Sequence, residues 1–152
     1  MALNIGDKAP EYLGKDQNGK DVHLSDFKDK KLVLYFYPKD NTPGCSAEAC
    51  SFRDGYEDLL QKGYAIVGVS KDSEKSHQGF IEKKSLPFPL ISDSDITLQN
   101  IFGVWQEKKM AGRTYMGTVR TTFIIGTDGV IENIITKVDT KDSANQVLNL
   151  YK

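Results

Sequence analysis

The sequence predicts an α/β domain with a central mixed β-sheet flanked by α-helices, and three observations carry that prediction. Short continuous apolar runs mark strands buried on both faces: Leu32-Val33-Leu34-Tyr35-Phe36-Tyr37 ended by Pro38, then Ala65-Ile66-Val67-Gly68-Val69, then Thr122-Phe123-Ile124-Ile125. Apolar residues at helical spacing separate the first two runs, as a parallel pair requires. Asp128-Gly129 then joins the third run to Val130–Ile135 as a hairpin, so the sheet is mixed.

Asn18-Gly19 predicts an N-terminal β-hairpin, with His23 in one of its strands. Ala49, Phe52, Tyr56, Leu59 and Leu60 predict one helix that stops at Gly63. Ser73 is placed to cap a helix carrying Phe80 and Ile81 on its inner face and ending before Pro87; its polar remainder, His77 included, reads as solvent-facing. A last helix presents Ala144, Val147, Leu148 and Tyr151 on one side and packs back on the sheet. Tyr35, Tyr37, Phe52 and Tyr56 read as core and wall residues. No repeat or linker interrupts the chain, so residues 1–152 are expected to form one domain, and the element order fits a thioredoxin-like fold.

Composition excludes several classes. The chain has 152 residues, 39% hydrophobic and 27% charged, with a net charge of −1, which points to neither a nucleic-acid nor an anionic-membrane partner. The longest apolar run is too short to span a bilayer, and Met1 to Pro10 lacks the apolar stretch of a secretory leader, so a cytoplasmic location is expected. Two cysteines close together in such a compartment point to catalysis, redox sensing or metal binding rather than to a structural disulfide. Zinc takes ligands in sets of four with pairs closely spaced, and His23 and His77 pair with nothing, so no metal is expected. No G-x-G-x-x-G or P-loop pattern occurs, and no cofactor is expected either.

The chemistry is concentrated in Pro38-Lys39-Asp40-Asn41-Thr42-Pro43-Gly44-Cys45-Ser46-Ala47-Glu48-Ala49-Cys50. This segment joins the carboxyl end of a buried strand to a helix start, where open α/β sheets bind ligands. Thr42 stands at the N-cap and Pro43 at the first helical position. Cys45 then falls in the first turn, where free N–H groups and the helix dipole favour a thiolate. Thr42 lies on the same turn, so its hydroxyl can hold a substrate oxygen beside the sulfur, and Gly44 leaves the backbone open to approach. Cys50 is five positions further on. In one intact helix the two Cα atoms would be ~8.6 Å apart, beyond the roughly 7 Å that a disulfide tolerates. A bond between them therefore requires the first turns to unwind.

Pro38-x-x-x-Thr42-x-x-Cys45, with Arg120 downstream in Arg120-Thr121-Thr122-Phe123, resembles the active-site signature of the peroxiredoxins. The fuller string from Tyr35 to Cys45, with Cys50, resembles the peroxiredoxin Q subgroup, also called bacterioferritin comigratory protein. Gly68-Val69-Ser70, Asp72-Ser73, Ser76-His77, Leu86 to Leu90 and Gly103-Val104-Trp105 extend the likeness over about Pro10 to Val138. The sequence departs from the subgroup at Ser46, at Gly126 and in the tail from Asp139, none of which touches the expected site.

The resemblance implies a thiol-dependent peroxidase acting on hydrogen peroxide and organic hydroperoxides. Cys45 would be the peroxidatic cysteine, oxidised to a sulfenic acid, and Cys50 the resolving cysteine that closes an intramolecular disulfide. Thr42 and Arg120 would bind the peroxide and the thiolate, Pro38 would shield the site, and thioredoxin or a similar dithiol would reopen the disulfide. A monomer is implied, with weak dimerisation left open. From the residues alone, Arg120 at a strand mouth offers donors to a developing oxyanion. Glu48, one turn after Cys45, can orient it or simply face solvent. Two rivals stand beside this reading. A thiol–disulfide oxidoreductase would ordinarily show C-x-x-C, and a peroxide-responsive redox sensor would not need Thr42 and Arg120 around Cys45.

Overall fold

The computed structural model describes residues 3–151. The long apolar runs become the middle of a five-stranded mixed sheet. Its strands, in chain order, are β3 (Lys31–Phe36), β4 (Tyr64–Ser70), β5 (Leu90–Ser92), β8 (Thr121–Ile125) and β9 (Ile131–Ile135), arranged β5-β4-β3-β8-β9. β3 is parallel to β4 and antiparallel to β8, and the β8–β9 hairpin is antiparallel as its Asp-Gly turn predicts. The N-terminal hairpin is also present, as β1 (Tyr12–Lys15) and β2 (Asp21–His23).

Alternation along β3 divides the core in two, because successive side chains of a strand point to opposite faces. Val33, Tyr35 and Tyr37 point to one face, where they meet Ala49, Phe52, Leu59, Phe80, Ala144 and Val147. These come from helices α1 (Pro43–Asp54), α2 (Tyr56–Gln61), α3 (Glu74–Lys84) and α5 (Ser143–Leu148). Leu32, Leu34 and Phe36 point to the other face, against Leu13 and Val22 of the hairpin and Leu98 and Phe102 of α4 (Thr97–Phe102).

Three sequence expectations change. The single helix after Cys45 is two helices, α1 and α2, divided at Gly55. A β-carbon at that position would lie 2.5 Å from the Ala144 Cβ, so the close approach of α5 accounts for the glycine. Tyr151 does not join the core face: it is exposed on a terminal 3-10 turn, with its ring under Lys31 Nζ and its hydroxyl donating to Glu132. His77 is fully buried instead of facing solvent, for reasons that belong to the site below. The structure also adds β5, α4 and a separate two-stranded hairpin, β6 (Trp105–Met110) and β7 (Arg113–Thr118), turned by Ala111 and Gly112 at positive φ. No helix among the described residues is long and apolar enough to cross a membrane.

Candidate active site

The antiparallel pairing of β3 and β8 creates the site. Phe36 lies opposite Thr121, so Arg120, one residue ahead of β8, stands beside the carboxyl end of β3 where the chain turns into α1. Thr42 occupies the N-cap position with extended backbone and Pro43 is the first helical residue, as the sequence predicts. The Thr42 hydroxyl does not cap the helix, however; it donates to the Lys39 carbonyl at 2.8 Å. Pro38 is half-buried at the end of β3.

Cys45 is buried in the first turn of α1, at 1% exposure. Arg120 Nη2 donates to its sulfur at 3.3 Å, and Nη1 donates to Glu48 Oε1 at 2.7 Å. One guanidinium thus bridges the thiol and the carboxylate one helical turn below it. Glu48 is wholly buried rather than solvated, with its Oε1 against Arg120. Burial pushes its carboxyl up to about 7, against the opposing pull of Arg120. Burial also works against the charge of Arg120, but Cys45 and Glu48 outweigh it and hold that group above its ordinary value. Gly44 has a spatial reason: a β-carbon there would lie 3.2 Å from Arg120 Nη2.

Behind the sulfur the wall is aromatic. Tyr35 stacks on Tyr37 at 5.4 Å and tilts against Phe52 at 4.8 Å between centroids. Tyr35 pairs across the sheet with Gly68, where a β-carbon would strike the ring at 2.9 Å. Cys50 lies on the same helix as Cys45, half-buried, and both are free thiols. Pro38, Thr42, Gly44, Cys45, Glu48 and Arg120 are therefore gathered at one end of β3, while Cys50 is held apart by the intact helix.

Sequence reasoning missed the support beneath this site. Asp40 is buried: Tyr37 donates to its Oδ1 at 2.6 Å, and Ser76 donates to its Oδ2 at 2.8 Å. His77 Nδ1 lies 2.7 Å from that same Oδ2, and its Nε2 is 3.0 Å from the Ile91 carbonyl. The three-residue step from His77 to Phe80, both buried, is the signal that places His77 on the inner face of α3. Asp40, Asp72 and His77 are near enough to share a cation, but the Asp40 oxygens and both imidazole nitrogens already have protein partners.

The AhpC/TSA family profile matches residues 5–134. The chain belongs to that family. Peroxiredoxin Bcp of Bacillus subtilis strain 168 is 45% identical over 152 residues, spanning 100% of this chain and 97% of the relative. Peroxiredoxin Bcp of Escherichia coli K12 is 41% identical over 150 residues, 99% of this chain and 96% of that one. A cysteine-to-serine mutant of PrxQ from Xylella fastidiosa superposes with a TM-score of 0.89 at 39% identity, covering 98% and 95% of the two chains. The bacterioferritin comigratory protein of Xanthomonas campestris, studied for its alkyl peroxide reduction activity, gives 0.83 at 35% identity over 93% and 95%. The likeness to the peroxiredoxin Q subgroup thus holds over the whole chain: this is a peroxiredoxin with a thioredoxin-like fold, a thiol peroxidase.

Proposed function

We propose that Cys45 is the peroxidatic residue and that Arg120, oriented by Glu48, is the group that makes its sulfur reactive toward a hydroperoxide. The observation that carries this reading is the 3.3 Å contact from Arg120 Nη2 to Cys45 Sγ. The Cys45 thiolate attacks one peroxide oxygen; an S–O bond forms, the O–O bond breaks, and the departing oxygen leaves as an alcohol or water once protonated. Arg120 holds positive charge where negative charge moves from sulfur to oxygen, a preorganised arrangement of the kind that lowers such barriers most. Thr42 offers its hydroxyl oxygen to the peroxide, Gly44 leaves room for Arg120, and Pro38 closes the strand end over the thiol.

Resolution follows from helix geometry. While α1 is intact the Cα atoms of Cys45 and Cys50 stay ~8.6 Å apart, so the first turns unwind before Cys50 reaches the sulfenic sulfur. The Cys50 thiolate then forms the S–S bond and the sulfenic oxygen leaves as water. A thioredoxin-type dithiol restores both thiols by exchange and is itself oxidised to a disulfide. We read hydrogen peroxide and organic hydroperoxides as the substrates and the chain as one domain acting as a monomer. A thiol-reducing compartment such as the cytoplasm suits the cycle.

The test is stopped-flow oxidation of the reduced protein with one equivalent of hydrogen peroxide, alongside Cys50→Ser. The expected result is thiol loss orders of magnitude faster than for a free cysteine, ending in a disulfide in the parent and a sulfenic acid in the variant. A rate like that of an ordinary thiol overturns the assignment and favours a redox sensor or a thiol–disulfide exchanger.

A further inference from the structure

The loop that delivers Thr42 and Cys45 contains a strained turn. Asn41 has φ 63°, in the left-handed region, between Asp40 and Thr42. Asn tolerates that conformation better than most residues, yet such a turn persists only where its surroundings over-determine it. What surrounds it is the buried Asp40. Its backbone N–H donates to Asp72 Oδ2 at 2.8 Å, and its carboxylate collects Tyr37, Ser76 and His77.

The protons of this cluster follow from who can donate. The Ile91 carbonyl only accepts, so His77 Nε2 carries a proton. Tyr37 occupies one oxygen of Asp40 as a donor, and Ser76 donates to the other. His77 Nδ1 meets the same Asp40 oxygen that accepts from Ser76, at 2.7 Å. His77 and Asp40 have side-chain exposures of 0% and 1%, so this is a buried pair with its hydrogen bonds made. The polar and charged groups facing it are Tyr37 just after β3, Asp72 after β4, Ser76 on α3 and the Ile91 carbonyl of β5.

We propose that His77 is a positioning residue for the peroxide step: its ring ties Asp40, and with it the turn carrying Thr42, to α3 and β5. This rests on the reading of Cys45 as the peroxidatic residue. The His77 ring hydrogen-bonds to Asp40 and the Ile91 carbonyl, whereas the thiol's donor is Arg120. Its effect is to fix where the Thr42 hydroxyl stands relative to the sulfur, so removing it should impair capture of a peroxide more than the nucleophilicity of Cys45.

That difference defines the test. Two reagents are used on the Cys50→Ser background: hydrogen peroxide, which needs the oriented site, and iodoacetamide, which needs only an accessible thiolate. His77→Leu should slow the peroxide reaction about tenfold to a hundredfold, the scale of a modest misplacement of reacting groups, while alkylation stays within about threefold. His77→Asn, which keeps a hydrogen-bonding group toward Asp40, should recover most of the loss. Ser76→Ala, a milder change to the same cluster, should show the same selectivity at smaller size and serves if His77→Leu does not fold. Equal slowing with both reagents, or no slowing with peroxide, overturns the proposal. A parent that is itself slow with peroxide removes the peroxidatic assignment as well, and is recognised because the failure then precedes any substitution.

Discussion

Arg120 Nη2 donates to Cys45 Sγ at 3.3 Å although the two residues are 75 positions apart in the chain. The same guanidinium reaches Glu48 with its other terminal nitrogen. Lysine carries the charge but lacks the planar fork and cannot serve both partners. Arg120→Lys should therefore slow the peroxide reaction about a hundredfold to a thousandfold, the loss expected when a preorganised oxyanion donor is removed. Stopped-flow rates against peroxide concentration measure it, and a rate within a few fold of the parent would refute the role.

Gly44 separates stability from activity. An alanine there would press its β-carbon to 3.2 Å from Arg120 Nη2. Alanine is also the better helix former, by up to about 1 kcal/mol. Gly44→Ala should thus leave the urea midpoint unchanged or raised, yet slow the peroxide step about tenfold through a displaced guanidinium. Parallel loss of both would mean that the glycine serves the fold instead.

Glu48 gives stability a pH dependence with a definite sign. Burial raises its folded-state carboxyl to about 7 from an ordinary 4.5, so the folded chain holds that proton more tightly than the unfolded one. The stability it contributes is fully present below about pH 4.5 and is lost as pH rises through 7, on the order of a few kcal/mol in all. Glu48→Gln cannot titrate, so its unfolding free energy should fall less between those pH values than that of the parent. Urea titrations across the range decide it; matching slopes would contradict the burial argument.

Gly55 makes room for α5. Gly55→Ala should cost about 1–3 kcal/mol through overpacking against Ala144. Ala144→Gly in the same chain should return part of that cost, and the double-mutant cycle by denaturant unfolding reads the coupling. Additive losses would place the clash elsewhere.

The strands that form the sheet centre were plain in the sequence, because β3, β4 and β8 are buried on both faces and read as unbroken apolar runs. β5 is only three residues long, Leu90–Ser92, and gives no period to detect. α4 starts after Ile96 in a left-handed conformation, and its first N–H groups are met by Asp93 upstream rather than by a side chain at the N-cap position. β6 is largely exposed, and Gln106-Glu107-Lys108-Lys109 shows no alternation. At the site, Cys45, Cys50, Thr42 and Gly44 follow from the local string, whereas Arg120 enters through strand pairing that no spacing encodes. His77 was obscured because the charged residues around it on α3 resemble a solvated face, and only its step to Phe80 marks the inner side.

The pairing of β3 with β8 also times the enzyme's birth. Synthesis delivers Cys45 and Cys50 early, but Arg120 and the strand behind it, Thr121–Ile125, emerge only near the end of the described chain. Until β8 docks against β3 a growing chain has the thiol without its guanidinium partner, and docking must close a long loop. If Cys45 reacts through Arg120 as proposed, a chain whose β8 has not docked would hold the thiol without that partner, and reactivity toward peroxide would double as a report that the sheet is complete.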